Sequence, residues 1–149
     1  MKTIFLTSLL FISCAALTPQ LRATPEQEQS LTEIRSIPDL DKTDIYSKSI
    51  SWVARSYNSA NNVIQLQNPE TGTIICRGRG SFFALLEQRH YDYTMIIDVQ
   101  DSRIRVRYEN ITALNAGSDI GYHWSRVSEQ LNNLTESLLQ HITSPDQNW

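Results

Sequence analysis

The most constraining feature of the sequence is a stripe of apolar residues near its C-terminal end. Between Ser118 and Thr143 the apolar residues recur every three or four positions, as Ile120, Trp124, Val127, Leu131, Leu134, Leu138 and Ile142. This spacing predicts an amphipathic helix of about 25 residues, ended by Ser144 and Pro145. At 1.5 Å per residue, such a helix is about 38 Å long and can cover the width of a β-sheet.

The preceding residues supply the sheet. Apolar–polar alternation and turn residues predict strands over 32–37, 63–67, 73–80, 93–99 and 103–109, while 81–91 fits either a helix or a strand. A first helix is predicted over 44–57, capped by Asp41 or Thr43. Its buried stripe is expected to consist of Tyr46, Ile50, Val53 and Tyr57. The order predicts an α+β fold, β-α-β-β-β-β-α, with an antiparallel sheet and two helices packed on one face.

Length and composition limit the class of protein. With 149 residues, 40% of them hydrophobic and only two cysteines, the chain is neither disordered throughout nor a disulfide scaffold. One domain is expected over 31–143, followed by a tail over 144–149. A net charge of −3 argues against nucleic acid as a partner.

The N-terminal residues predict export. Lys2 precedes an apolar run, Ile4–Ile12, and the small residues Ser13-Cys14-Ala15-Ala16. This pattern is typical of a secretory signal peptide over 1–16, and the run is too short to span a bilayer. The polar residues 17–30, with two prolines, are expected to form a flexible tether.

Two cleavage sites remain open. Phe11-Ile12-Ser13-Cys14 resembles a bacterial lipobox, in which Cys14 would carry the lipid, and Ala15 after it favours the outer membrane. Ordinary cleavage after Ala16 is the alternative, and it would release a periplasmic protein. Either product loses Lys2, which leaves 12 basic and 16 acidic residues and a net charge of −4.

Cysteine and histidine give no sign of a metal or cofactor. Cys76 has no partner left after Cys14 is lipidated or removed, and it is expected to be a small buried strand residue. His90, His123 and His141 lack the spacing of metal ligands. We therefore expect no metal and no cofactor.

Several segments together resemble a known family. They are 44–46, 51–54, 63–67, 70–75 and 78–80, followed by the strand over 93–99 and the arginine-bearing strand over 103–108. The series is similar to a bacterial family of domains of unknown function with a TATA-box-binding-protein-like (TBP-like) fold, over roughly residues 31–142. This resemblance implies the fold and an exported, often lipid-anchored protein, and it implies no catalytic residues. It does not imply DNA binding, because fold does not determine function.

Arginine provides the candidate site. Arg103, Arg105 and Arg107 alternate with Ile104 and Val106, so they share one strand face, and Arg77 and Arg79 alternate in the same way opposite Cys76. If all five face away from the helices, they form a surface for phosphate or carboxylate groups of an envelope protein or an anionic envelope component. The plainer interpretation is a solvated sheet face balanced by Asp98, Asp101 and Glu109.

Three functional hypotheses follow. The first is a non-enzymatic cell-envelope binding or assembly module that uses the open sheet face. The alternative is a small periplasmic enzyme with a site near the polar residues 87–92, which include Glu87, His90 and Asp92 and are expected to form a loop. The third is self-association through the open sheet. Gly78 and Gly80 match no phosphate-binding loop and predict a bulge or close packing under a helix.

Overall fold

The computed structural model describes residues 29–57, 63–84, 86–114, 120–121 and 123–145. Cys14, the predicted signal peptide, nearly all of the predicted tether and the last four residues lie outside this part of the chain. The elements in order are β1 (Leu31–Ser36), α1 (Lys42–Ser56), β2 (Ile64–Asn68), β3 (Thr73–Ala84), β4 (Glu87–Gln100), β5 (Arg103–Ala113) and α2 (Trp124–Thr143). The predicted α+β class and the order β-α-β-β-β-β-α are confirmed.

The five strands form one antiparallel sheet in the order β1-β5-β4-β3-β2. The connection through α1 therefore places β1 and β2 on opposite edges. The central strands are long, with 12 residues in β3 and 14 in β4, whereas the edge strands β1 and β2 have six and five. The β3–β4 hairpin consequently extends past both edge strands at one end of the sheet.

Both helices cover the same face of the sheet, here called the closed face. Alternate residues of β4, from Tyr91 to Val99, are buried beneath them, together with Ile104, Val106 and Tyr108 of β5. Trp52 of α1 is also buried and donates from Nε1 to Ser137 Oγ of α2 at 3.2 Å. The core lies between this face and the helix pair. The other face, here called the open face, carries the intervening residues.

Tyrosine rings fill the part of the closed face that lies over two glycines. Gly78 is paired with Tyr93 and Gly80 with Tyr91 across the β3–β4 ladder. A Cβ on Gly78 would lie 2.3 Å from the Tyr93 ring, and one on Gly80 would lie 2.2 Å from the Tyr91 ring. The prediction of close packing is thus right, but the partner is a cross-strand ring rather than a helix, and the β3–β4 pairing continues through both glycines without a bulge.

The stripe predicted for α1 is rotated from the observed one. The buried residues are Ile45, Ser49, Trp52 and Val53, whereas Tyr46, Ile50 and Tyr57 are only partly buried. A shift of one residue turns a helix face by about 100°. Ser49 was missed because it is polar. Its hydroxyl is satisfied within the helix by Ile45 O at 2.7 Å, so the small side chain can be fully buried.

The C-terminal helix is shorter than its apolar stripe. Ile120 lies in a turn, where its carbonyl accepts from His123 N, and α2 begins at Trp124. Its 20 residues are about 30 Å long rather than 38 Å. Among the described residues, no helix is long and apolar enough to cross a membrane.

The ambiguous segment 81–91 is strand. It contains the end of β3, a two-residue connection and the start of β4, and Ala84 is paired with Glu87. The expectation of a loop over 87–92 is therefore wrong. Helix α2 protects the outer edge of β3 here: Gln130 Nε2 donates to Ser81 O at 2.9 Å, and Arg126 donates to Phe83 O.

Candidate binding face of the sheet

All five candidate arginines project from the open face. Ile104 and Val106 are buried on the closed face, and the alternation of β5 turns Arg103, Arg105 and Arg107 the other way. Cys76 and Gly78 are likewise buried, so Arg77 and Arg79 project from the open face of β3.

The arginines of β3 share one carboxylate. Asp92 of β4 is directly opposite Arg79 and accepts from its Nε at 2.9 Å, while Arg77 Nη2 lies 3.8 Å from the other carboxylate oxygen. This hydrogen bond and the attraction of the carboxylate raise the pKa of Arg79 above its ordinary value. Both guanidinium groups remain more than half exposed, so they can still contact a ligand.

The second group lies on β4 and β5. Asp98 accepts from Arg105 through Nε at 3.1 Å and Nη2 at 2.8 Å, and Arg107 Nη2 lies 3.4 Å away. Arg107 also donates from Nη1 to Glu109 at 2.7 Å. Asp98 and Glu109 therefore balance this face as expected. Asp101 does not: its carboxylate accepts from the backbone of Lys42 at the start of α1.

Arg103 differs from the other four. Its side chain donates to the neutral amide of Gln100, so its charge faces no carboxylate among the described ion pairs. It lines a shallow depression of about 240 Å³ together with Ile34, Asp98, Gln100 and Arg105. Ile34 is an exposed apolar residue of β1. The depression therefore combines a guanidinium group with an apolar wall.

The open face is locally basic on an acidic chain. It carries five guanidinium groups but only three carboxylates that pair with them, those of Asp92, Asp98 and Glu109. These ion pairs stabilise the sheet only slightly, because exposed ion pairs contribute about 0–1 kcal/mol each. The arrangement can bind phosphate or carboxylate groups, since each guanidinium presents a planar set of donors.

The alternation of β4 separates Glu87 from His90 and Asp92, which both lie on the open face. Asp92 is paired with Arg79, and Glu87 lies 2.8 Å from Arg89. Tyr91 between them points to the closed face and donates to Gln130 Oε1 at 2.8 Å. Among the described residues, no group of three His, Cys, Asp or Glu side chains is placed to hold a metal ion. Cys76 is buried, and burial raises the pKa of its thiol to about 12.

Sequence reasoning missed two features of this face. The first is that Asp92 and Asp98 are each shared between two arginines, which depends on the register of β4 against β3 and β5. Asp98 was expected to balance the arginines, although its sharing was not, whereas Asp92 was missed because residues 87–92 were expected to be a loop. The second is the depression beside Arg103, which requires β1 to lie next to β5.

Comparison with known proteins identifies the fold. A family model described as a domain of unknown function (DUF4468) with TBP-like fold matches residues 32–113. A crystal structure of a DUF4468 family protein from Bacteroides ovatus is similar with a TM-score of 0.66 at 13% identity, covering 82% of this chain and 90% of that one. A TBP-like protein from Parabacteroides distasonis has a TM-score of 0.64 at 12% identity, covering 80% and 95%. No curated protein matches.

Proposed function

Because this chain belongs to the DUF4468 family, whose description names a TBP-like fold and no activity, we propose a function from the chemistry of its own open face. The protein is a non-enzymatic binding module of the bacterial cell envelope, exported and anchored by a lipid on Cys14. Its open face binds an anionic envelope component or an acidic segment of an envelope protein. The observation that carries the proposal is the surplus of guanidinium groups on a sheet face that neither helix covers.

Two properties of the face support binding over a purely structural role. Arg77, Arg79 and Arg105 are each about half exposed or more, so a ligand can reach them without displacing the core. Arg103 donates to a neutral amide, so an incoming anion does not have to displace a carboxylate from its guanidinium group. A flat basic surface of this kind favours recognition of several anionic groups at once.

Charge reversal tests the face. We expect R77E/R103E to weaken binding at least tenfold, because these two arginines have the weakest ties to protein carboxylates and their loss leaves the sheet intact. The matched control is K48E/R55E, which makes the same change in net charge on α1. The probes are immobilised lipopolysaccharide, which presents phosphates, and immobilised polyglutamate, which presents carboxylates. Binding of either probe should weaken as salt rises.

The outcomes distinguish the two kinds of ligand and also include results that would refute the proposal. Loss of lipopolysaccharide binding alone assigns phosphate groups, and loss of polyglutamate binding alone assigns acidic protein segments. If the wild-type protein binds neither probe, or if the control variant loses as much affinity as R77E/R103E, the open face is not the binding surface.

A separate experiment tests the export of the protein and its lipid anchor at Cys14. We expect the intact mass of the protein from the membrane fraction to show a chain that begins at Cys14 and carries two or three acyl groups. An unmodified chain beginning near Leu17 in the soluble fraction would contradict the lipid anchor and leave a periplasmic binding protein.

A further inference from the structure

Exposed apolar side chains are concentrated at one end of the sheet. The large apolar residues that are exposed in the described part of the chain are Ile34, Leu66, Phe83, Leu86 and Leu114. Phe83 and Leu86 flank the connection between β3 and β4, and Leu114 follows the end of β5 nearby; the three are here called the apolar end. Their exposures are 68%, 101% and 43%. Leu114 lies at the base of this hairpin end, because its backbone N–H donates to His90 O, three residues after the start of β4.

The connection holds its leucine in an unfavourable conformation. Ala84 is paired with Glu87, so only two residues join the strands, and Leu86 has φ of 68°. Glycine or asparagine is the usual residue in such a turn, because a bulky side chain is disfavoured at positive φ. Leu86 has no packing that compensates for this strain, since its side chain is fully exposed. Strain of this kind is characteristic of positions that serve a function.

The apolar end also protrudes. Strand β2 accompanies β3 only as far as Cys76, and β5 accompanies β4 only as far as Tyr91. The last four residues of the hairpin on the β4 side therefore extend about 13 Å beyond the paired strands. Phe82 and Ala84 are buried on the closed side of this hairpin end, so only its turn and its open side can enter the interface of a lipid bilayer.

Two arginine side chains lie along this hairpin end, Arg126 near its tip and Arg79 nearer its base. Arg126 of α2 donates to Phe83 O on one side, and Arg79 projects from the open face on the other. The nearby carboxylates are already paired, Glu87 with Arg89 and Asp92 with Arg79. Apolar residues with guanidinium groups above them match an anionic membrane surface, where acyl chains lie below the phosphates.

The direction of the chain favours the same membrane contact. Leu31 is paired with Tyr108, and β1 runs from there toward Ser36 and Arg103. The chain therefore enters β1 from the side of the apolar end. Tyr108 is level with Met95, and the eight residues from there to Glu87 span about 26 Å.

The 16 residues between Cys14 and Leu31 are enough to cover that distance. A chain of 16 residues can span at most about 50 Å, which exceeds this distance. An anchor at Cys14 thus permits the apolar end to reach the bilayer that holds it.

We propose that Phe83, Leu86 and Leu114 insert into the interfacial region of an anionic lipid bilayer and orient the domain on it. The inference rests on the membrane address of the proposed function and uses Arg79 of the open face, but it does not require the open face to bind its ligand. Insertion would hold the long axis of the β3–β4 hairpin upright and leave the open face accessible from the side.

A depth measurement tests the insertion. Full-length mature protein, purified as the cell produces it, is reconstituted on vesicles of phosphatidylethanolamine and phosphatidylglycerol in a ratio of two to one. A polarity-sensitive fluorophore is attached to L86C, and in the matched control to E70C in the β2–β3 turn at the opposite end of the sheet. Cys76 is buried and contributes little background, which the unsubstituted protein measures.

We expect the label at residue 86 to shift to shorter wavelength on vesicles and to be quenched by brominated acyl chains, with no change at residue 70. Equal, water-like signals at both positions would overturn the proposal. A concentration-dependent shift at residue 86 without lipid would also overturn it, because it would assign the apolar end to contact between two copies of the chain.

A second variant separates insertion from folding. With the label at L114C, the substitutions F83T and L86N should abolish the lipid quenching while leaving the melting temperature unchanged or higher, since asparagine suits positive φ. Quenching that persists would contradict insertion through these side chains. The R77E/R103E variant should keep the signal at residue 86, so failure of the open face and failure of the apolar end are distinguishable.

Discussion

The two faces of the sheet are built from the same strands, but one is buried under the helices and the other is exposed to water. On the closed face, Tyr91, Tyr93 and Tyr108 are buried, and their hydroxyls find partners in Gln130, Tyr57 and Thr135. On the open face, arginines and carboxylates alternate with half-buried residues such as Ile96 and remain in contact with water. Adjacent residues of β4 therefore experience very different environments.

The closed face therefore provides most of the stability of the fold, and the open face is free to serve binding. Burial of apolar surface provides most of the folding free energy, and it is concentrated on the closed face. Exposed ion pairs contribute little, so the residues of the open face can change without unfolding the domain. A surface with that freedom is suited to binding.

The largest expected effect comes from alkaline pH. Burial raises the pKa of Tyr91 to about 12 and also raises the pKa of Tyr93 and Tyr108 above the ordinary value of 10.0. The folded state therefore retains these protons when the unfolded state releases them. Their contribution is fully present below pH 10 and is lost as pH rises through the raised pKa of each tyrosine.

Two measurements check this contrast. Denaturant titrations between pH 8 and 11 should show the decline, and absorbance of phenolate should appear for these tyrosines only with unfolding. The variant Y91F should have a shallower alkaline decline than the wild type. An unchanged free energy of unfolding from pH 9 to 11 would refute the assignment of these rings to a closed face.

Paired substitutions in β4 compare the faces directly. Ile97 is fully buried on the closed face, whereas its neighbour Ile96 is half-buried on the open face. We expect I97A to lower the free energy of unfolding by about 3–4 kcal/mol, because it removes transfer energy and leaves a cavity. I96A should lower it by about 1 kcal/mol. Similar losses in urea denaturation would mean that the open face is also covered.

The smallest effect is expected for the ion pairs of the open face. D98N removes the carboxylate shared by Arg105 and Arg107 but keeps a hydrogen-bonding side chain of the same size. The free energy of unfolding should fall by less than about 1 kcal/mol, and the difference should shrink in 0.5 M salt. A larger, salt-independent loss would show that Asp98 is a structural residue rather than part of an exposed face.

Much of the fold could be predicted from local patterns in the sequence. The alternation of 103–108 placed Arg103, Arg105 and Arg107 on one side, and the apolar stripe of the last helix identified all of its buried large residues except Leu139. Such patterns are reliable because side-chain direction repeats with the period of the element. The buried stripe of α1 was harder to predict, since it depends on how the helix packs against the rest of the fold, as Trp52 does against Ser137 of α2.

Only part of the candidate site could be predicted from the sequence. The five arginines followed from alternation, and Asp98 and Glu109 were expected to balance them. The partner Asp92 and the sharing of each aspartate depend on which residue of β4 faces which residue of β3 and β5. The apolar end was missed altogether. Phe83 and Leu86 lie in an apolar run that fits a buried strand or helix equally well, and their exposure depends on the length by which the hairpin passes its neighbours.

The sequence by itself determined the class of fold, the order of its elements and the sidedness of each arginine, because these depend on periodicity and turn residues along the chain. Only the tertiary structure decided the strand order, the sharing of each carboxylate and the exposure of the apolar end. These depend on pairing between residues far apart in sequence, and a shift of one residue in register would turn every side chain of a strand to the other face.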